Sequence, residues 1–124
     1  DYERYGKFGI YNENCGFDSL HMSWGHDEYL AIVLNKNIEV VKLPEEAIYM
    51  IRYHSFYPWH TPCDKNRGYE YFADFTDWIR LPLLKILQMS DLYSKSKNLP
   101  DKNTLENYYR KLCNRWFLKT DLIW

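Results

Sequence analysis

The sequence predicts an all-α domain, and three observations predict it. Apolar residues recur at helical spacing in separate stretches, prolines stand at the borders of those stretches, and the only short strand candidate is IEVV at 38–41. With 124 residues, 46% of them hydrophobic, the chain is long enough for one domain with one core and too short for two ordinary ones. Its 12 Tyr and 5 Trp point to a core filled by large rings that hydrogen-bond at their tips.

Residues 1–18 lack a sustained period and are rich in Gly, Asn and Tyr, which predicts a lead-in ahead of the helices. From Ser23, His26, Leu30, Val33 and Asn37 form one helical stripe, with Asp27 and Glu28 at the positive end of the dipole. His26 is therefore expected to face the core. A second helix is bounded by Pro44, placed at its first position, and Pro58; Ala47, Met50, Ile51, His54 and Ser55 share its inward face.

A Pro- and Gly-containing loop and a short aromatic piece, YFADFTDW, follow. Pro82 is then expected to open a further helix in which Leu84, Leu87 and Asp91 align, with Lys95 one turn along. The last helix is expected after cap-like Asn103 and Thr104, with Leu105, Tyr108, Tyr109, Leu112, Cys113 and Trp116 as a plain core stripe.

Sixteen basic against 17 acidic residues, with no long block of one sign, exclude an electrostatic footprint for nucleic acid or an anionic membrane. Cys15, Cys63 and Cys113 are widely spaced with no C-x-x-C, which suits reduced thiols in the cytoplasm. No signal peptide or membrane-length apolar run is present, so a soluble protein is expected. The chain opens on Asp1 rather than Met, which suggests a piece of a longer polypeptide.

Three polar residues, His26, His54 and Asp91, interrupt three inward stripes. Two imidazoles and a carboxylate from facing helices suit non-haem iron, which keeps open positions for substrate or oxygen, so spacing alone suggests a mononuclear site. Each residue also has a structural reading. The histidines fit as satisfied core residues, Asp91 as an ion pair with Lys95, and Ser55 as a hydroxyl bonded to its own helix. His21 and His60 are expected to be structural. Asp27, one residue past His26, points about 100° away from it on a helix.

The stretches MSWGHDEYL, LPEEAIYMIRYHSFYPWHT and SDLYSK, and LPD followed by YY, resemble the carboxyl-terminal half of the myo-inositol oxygenase family, from about Cys15 to Trp124. The resemblance implies an HD-domain-like helical bundle and an enzyme that uses two irons, and no organic cofactor, to convert myo-inositol and O2 to D-glucuronate. It implies that His26 and His54 are ligands of one iron and Asp91 of the other, and that His54, Ser55 and Lys95 contact the inositol. A complete enzyme of the family is expected to be monomeric.

The family's remaining ligands, one His and the His-Asp dyad, lie upstream of the matched region, so residues 1–124 are expected to be half of one domain, lacking its amino-terminal helices. The loop after His60 and the IEVVK connection look longer than the family pattern. Two other readings stay open: a catalytically inactive helical remnant or binding module, and a single-metal HD-type hydrolase or oxygenase using His26, His54 and Asp91.

Overall fold

A central helix with neighbours on two sides organises the molecule. The computed structural model describes residues 6–23, 25–61, 68–93, 101–119 and 121–124. Among them the chain forms five helices: α1 (His26–Lys36), α2 (Glu45–Tyr53), α3 (Tyr57–His60), α4 (Phe75–Tyr93) and α5 (Lys102–Trp116). Two 3-10 turns, Phe17–Ser19 and Tyr69–Tyr71, complete the set. The IEVV segment contributes only a single antiparallel bridge, Val41 with Phe117.

Helix α2 packs against α1 on one side and α4 on the other. Tyr49 and Tyr53 join Phe17, Trp59, Ala73 and Leu84 in one core cluster, while Ile48 joins Ala31, Leu34 and Val41 in a second. Being covered from two directions, α2 buries Ile48, Tyr49 and Tyr53, and the face expected from spacing (Ala47, Met50, Ile51, His54, Ser55) is half-buried. Pro44 is the N-cap rather than the first helical residue, and the helix stops at Tyr53 with His54 as its C-cap.

Helix α1 starts at His26 and contributes Ala31, Val33 and Leu34 to the core. Of the expected stripe, Val33 and Asn37 are buried, whereas His26 and Leu30 are exposed, because the burial comes from the later part of the helix.

The short aromatic piece and the helix expected from Pro82 are one continuous 19-residue helix, α4, with Pro82 inside it. A reciprocal capping box starts it well upstream. The Asp77 N–H donates to Asp74 Oδ1 at 2.9 Å, and the Asp74 N–H donates back to Asp77 Oδ2 at 3.1 Å. Pro82 leaves the Trp78 carbonyl without its helical donor. The helix persists because Asp77, Leu84 and Gln88, at i, i+7 and i+11, are all buried on one face.

The cap of α5 is Asp101, whose Oδ2 accepts from the Thr104 N–H at 2.9 Å, rather than Asn103 or Thr104. Its apolar stripe is not core among the described residues. Leu105, Leu112 and Trp116 are half-buried, and Tyr108, Tyr109 and Cys113 are exposed. The helix is held at its end instead. The Lys42 N–H donates to Trp116 O at 2.6 Å and the Leu118 N–H to Val40 O at 2.8 Å. The tail then returns to α1, where Asn37 exchanges two 2.8 Å bonds with the Ile123 backbone.

The end of the expected lead-in proves to be core. Phe17 is 1% exposed and meets the Trp59 ring edge-on at 4.8 Å. Gly16, at φ +81°, makes this possible: a Cβ there would lie 2.8 Å from Asp74 Oδ2, so only glycine fits beside the α4 cap.

Candidate metal centre

His26 is the first residue of α1 and His54 the C-cap of α2, and the packing of the two helices brings their rings together. The Nε2 atoms stand 3.2 Å apart, with the rings edge to face at 71°. Two imidazole nitrogens each about 2.05 Å from one ion are separated by about 2.9 Å in octahedral and about 3.35 Å in tetrahedral geometry, which brackets the observed spacing.

The tautomer of His54 follows from its other nitrogen. Nδ1 lies 2.6 Å from the Ile51 carbonyl oxygen, which can only accept, so Nδ1 carries a hydrogen. In the neutral ring Nε2 is then a lone pair, facing His26. A backbone carbonyl that fixes ring orientation and leaves the opposite nitrogen free to ligate is the usual support of a metal-binding histidine.

Beside the ring pair runs a second cross-helix contact, between the residues that follow each histidine. The Ser55 hydroxyl donates to Asp27 Oδ2, while Asp27 Oδ1 accepts the Glu28 N–H at 3.0 Å. Partial burial pulls the Asp27 carboxyl upward, but the hydrogen bonds from Ser55 and Glu28 outweigh it and hold the group below its usual value. His60 is buried with Nε2–H donating to the His54 carbonyl at 2.9 Å, and burial lowers its pKa, so it braces the backbone at His54 as a neutral ring. His21 is exposed.

An open cavity of about 770 Å³ lies against this corner, with His26, Asp27, Ser55, Arg52 and Tyr53 in its wall. That volume is in the range of small-molecule sites. Arg52 is fixed there by a forked ion pair with Glu28 and by Asp18.

Asp91 is exposed near the end of α4, and among the described residues no three His, Cys, Asp or Glu side chains gather as a metal site. The structure thus brings His26 and His54 together with Ser55 beside them, and does not add Asp91 to that group. Lys95 lies outside the described residues. Spacing alone did not find Asp27 as Ser55's partner, since a pair 28 residues apart depends on how two helices cross.

A family model described as myo-inositol oxygenase matches residues 1–124. The chain is 46% identical to the inositol oxygenase of Danio rerio and 43% identical to that of Homo sapiens, each over 110 residues and 89% of this chain. It is 42% identical to inositol oxygenase 2 of Arabidopsis thaliana over 111 residues and 90% of this chain. The matches cover 37%, 36% and 33% of those relatives, so the chain spans about a third of their length. The chain belongs to the myo-inositol oxygenase family.

Proposed function

We propose that this chain forms part of the iron centre and substrate pocket of an oxygenase that converts myo-inositol and O2 to D-glucuronate and water. The observation that carries the proposal is the His26–His54 pair, with Nε2 atoms 3.2 Å apart and one ring locked with its lone pair inward. Family membership supplies the reaction class.

His26 and His54 would hold one iron, and Asp91 a second whose other ligands lie outside residues 1–124. Iron bound there would supply Lewis acidity toward the inositol hydroxyls and the redox capacity for O2. The chain's own side chains handle the polyol. Ser55 donates its proton to Asp27 and so presents lone pairs to a substrate hydroxyl. His54 and Lys95 are its proposed companions in substrate contact. The aromatic wall of the cavity, including Tyr53 and Phe56, offers apolar surface to the ring carbons. We place the enzyme in the cytoplasm, which its cysteine spacing supports, and as a monomer, which the family resemblance implies; among the described residues no helix is long and apolar enough to cross a membrane.

The test is iron content and inositol-dependent oxygen uptake of the full-length polypeptide carrying this sequence, beside its His26→Ala and His54→Ala variants. Loss of both iron and oxygen uptake in each variant is the expected result. Oxygen uptake unchanged by either variant would overturn the assignment, and no uptake by the parent would favour an inert remnant of the family.

A further inference from the structure

The ring of His26 sits on the first residue of a helix that has no side-chain cap, a position where helices fray. His54 needs no such help, because its Nδ1–H is already held by the Ile51 carbonyl. Something else must keep α1 wound through His26 and its first turn close to the end of α2. Asp27 makes both bonds: its Oδ1 takes the first-turn amide of Glu28, and its Oδ2 takes the hydroxyl of Ser55, the residue after His54.

Gly25 carries an independent sign of this arrangement. Its backbone, at φ −134° and ψ 179°, is one that any residue adopts. Yet a Cβ added there would lie 2.5 Å from Asp27 Oδ1. The space a side chain would take is occupied by the carboxylate, so glycine at this position serves Asp27 rather than the backbone. The other fastening of this turn, Arg52 with Glu28, starts about 100° round the helix from Asp27 and reaches α2 two residues before His54, so Asp27 is the one that ties the turn to the residue beside the His54 ring.

Resting on the metal-centre reading above, we infer that Asp27 is a positioning residue, clamping Ser55 so that the His26 and His54 nitrogens converge on one ion. Two adjacent cross-helix contacts, ring to ring and carboxylate to hydroxyl, then act as one hinge-free corner. Removing the carboxylate unties the start of α1 from Ser55, leaving only the Arg52–Glu28 pair on that turn, and lets the His26 ring leave the pair, although neither Asp27 nor Ser55 touches the ion.

The probe is Co2+ titrated into metal-free full-length protein, read by its visible absorption, with His26→Ala defining the component that belongs to the histidine pair. Asp27→Ala and Ser55→Ala should each weaken that component about 10–100-fold, the usual effect of losing a group that orients a ligand. Asp27→Asn, whose amide oxygen can still accept the Glu28 N–H while its NH2 bonds the Ser55 oxygen, should retain most of the affinity. Gly25→Ala, which displaces the carboxylate without removing it, should match Asp27→Ala, and the double variant should lose nothing further. Affinities of Asp27→Ala and Ser55→Ala within twofold of the parent, at an unchanged melting temperature, would overturn the inference. A parent with no His26-dependent Co2+ component would instead remove the metal reading. The clamp is then decided by nitrogen NMR of the rings: the Nε2–H···Nε2 bond must vanish in Asp27→Ala, and its persistence overturns the clamp.

Discussion

The Phe17 N–H donates to the Asp77 carboxylate at 3.1 Å, across sixty residues of sequence. The same oxygen accepts the Asp74 N–H, and the other accepts the Tyr49 hydroxyl at 3.0 Å. Asp77 is only 4% exposed. One buried carboxylate thus joins the turn before α1, the central helix and the cap of α4, and α4 is in turn what α2 leans on while it presents His54.

Replacing Asp77 separates its bonds from its charge. Asp77→Ala leaves two amides and a hydroxyl without their acceptor in a closed site, at about 1–3 kcal/mol each before relaxation, so a loss of about 3–5 kcal/mol is expected. Asp77→Asn can keep all three, its oxygen accepting the two amides and its NH2 donating to the Tyr49 oxygen, and should cost about 1 kcal/mol or less. Burial raises the Asp77 pKa above 3.8, against the hydrogen bonds from Asp74, Phe17 and Tyr49 that oppose the rise. With the folded value above the unfolded one, the native state binds the extra proton in that window. The Asp77 contribution is therefore fully present below pH 3.8 and is lost as pH rises through the raised value. Urea unfolding of the parent and Asp77→Asn from pH 3 upward checks the sign, since the parent's relative stability should fall with rising pH.

Two leucine-sized residues on α4 should differ sharply in their response to truncation. Leu84 is 0% exposed in the cluster with Phe17 and Tyr53, and Leu84→Ala should cost about 2–5 kcal/mol through lost contacts and a residual cavity. Ile86, two residues on, is 61% exposed, and Ile86→Ala should stay within about 0.5 kcal/mol. Thermal unfolding of the two variants checks the orientation of the helix, because the reverse order would mean that α4 faces the other way.

The helical class was legible because four stretches carry period and borders, and the family because the residues around His26 and His54 are distinctive. What spacing could not supply was which faces would be covered. His26 and Leu30 share a stripe with Val33, yet only the later part of α1 reaches the core, so period alone mistook the first turn for interior. Proline favours first turns, so Pro82 suggests a start, while the earlier start is written in Asp74-Phe75-Thr76-Asp77, a capping pattern readable from sequence. The Asp27–Ser55 contact had no local signal at all. It exists only once α1 crosses α2.

Arg52 tests whether a fork is needed in the cavity wall. Its guanidinium takes both oxygens of Glu28 and also reaches Asp18, joining α1, α2 and the turn at Phe17–Ser19. Lysine keeps the charge but offers one point donor, so Arg52→Lys should retain at most one of these contacts. The side chain is 27% exposed, and water screens part of the loss, which is expected to be about 1 kcal/mol. Because the pair is partly exposed, added salt should narrow the gap between parent and variant in chemical unfolding; an equal gap at low and high salt would assign the loss to packing.

The outward face of α4 makes the strongest prediction about behaviour in solution. Phe75, Ile79, Ile86 and Met89 recur at helical spacing, and each is more than half exposed, opposite the buried face of Asp77, Leu84 and Gln88. A contiguous apolar stripe of this kind costs free energy in water and drives association. The 124-residue chain alone should therefore self-associate as its concentration rises, with mass rising in light scattering. Ile79→Lys, Ile86→Lys and Met89→Lys together should shift it toward monomer. The same substitutions should leave the melting temperature nearly unchanged, since none of the three side chains belongs to either core cluster. A fall in melting temperature of many degrees would show that the stripe is packed inside the domain, and association that survives the three lysines would trace the contact to another surface.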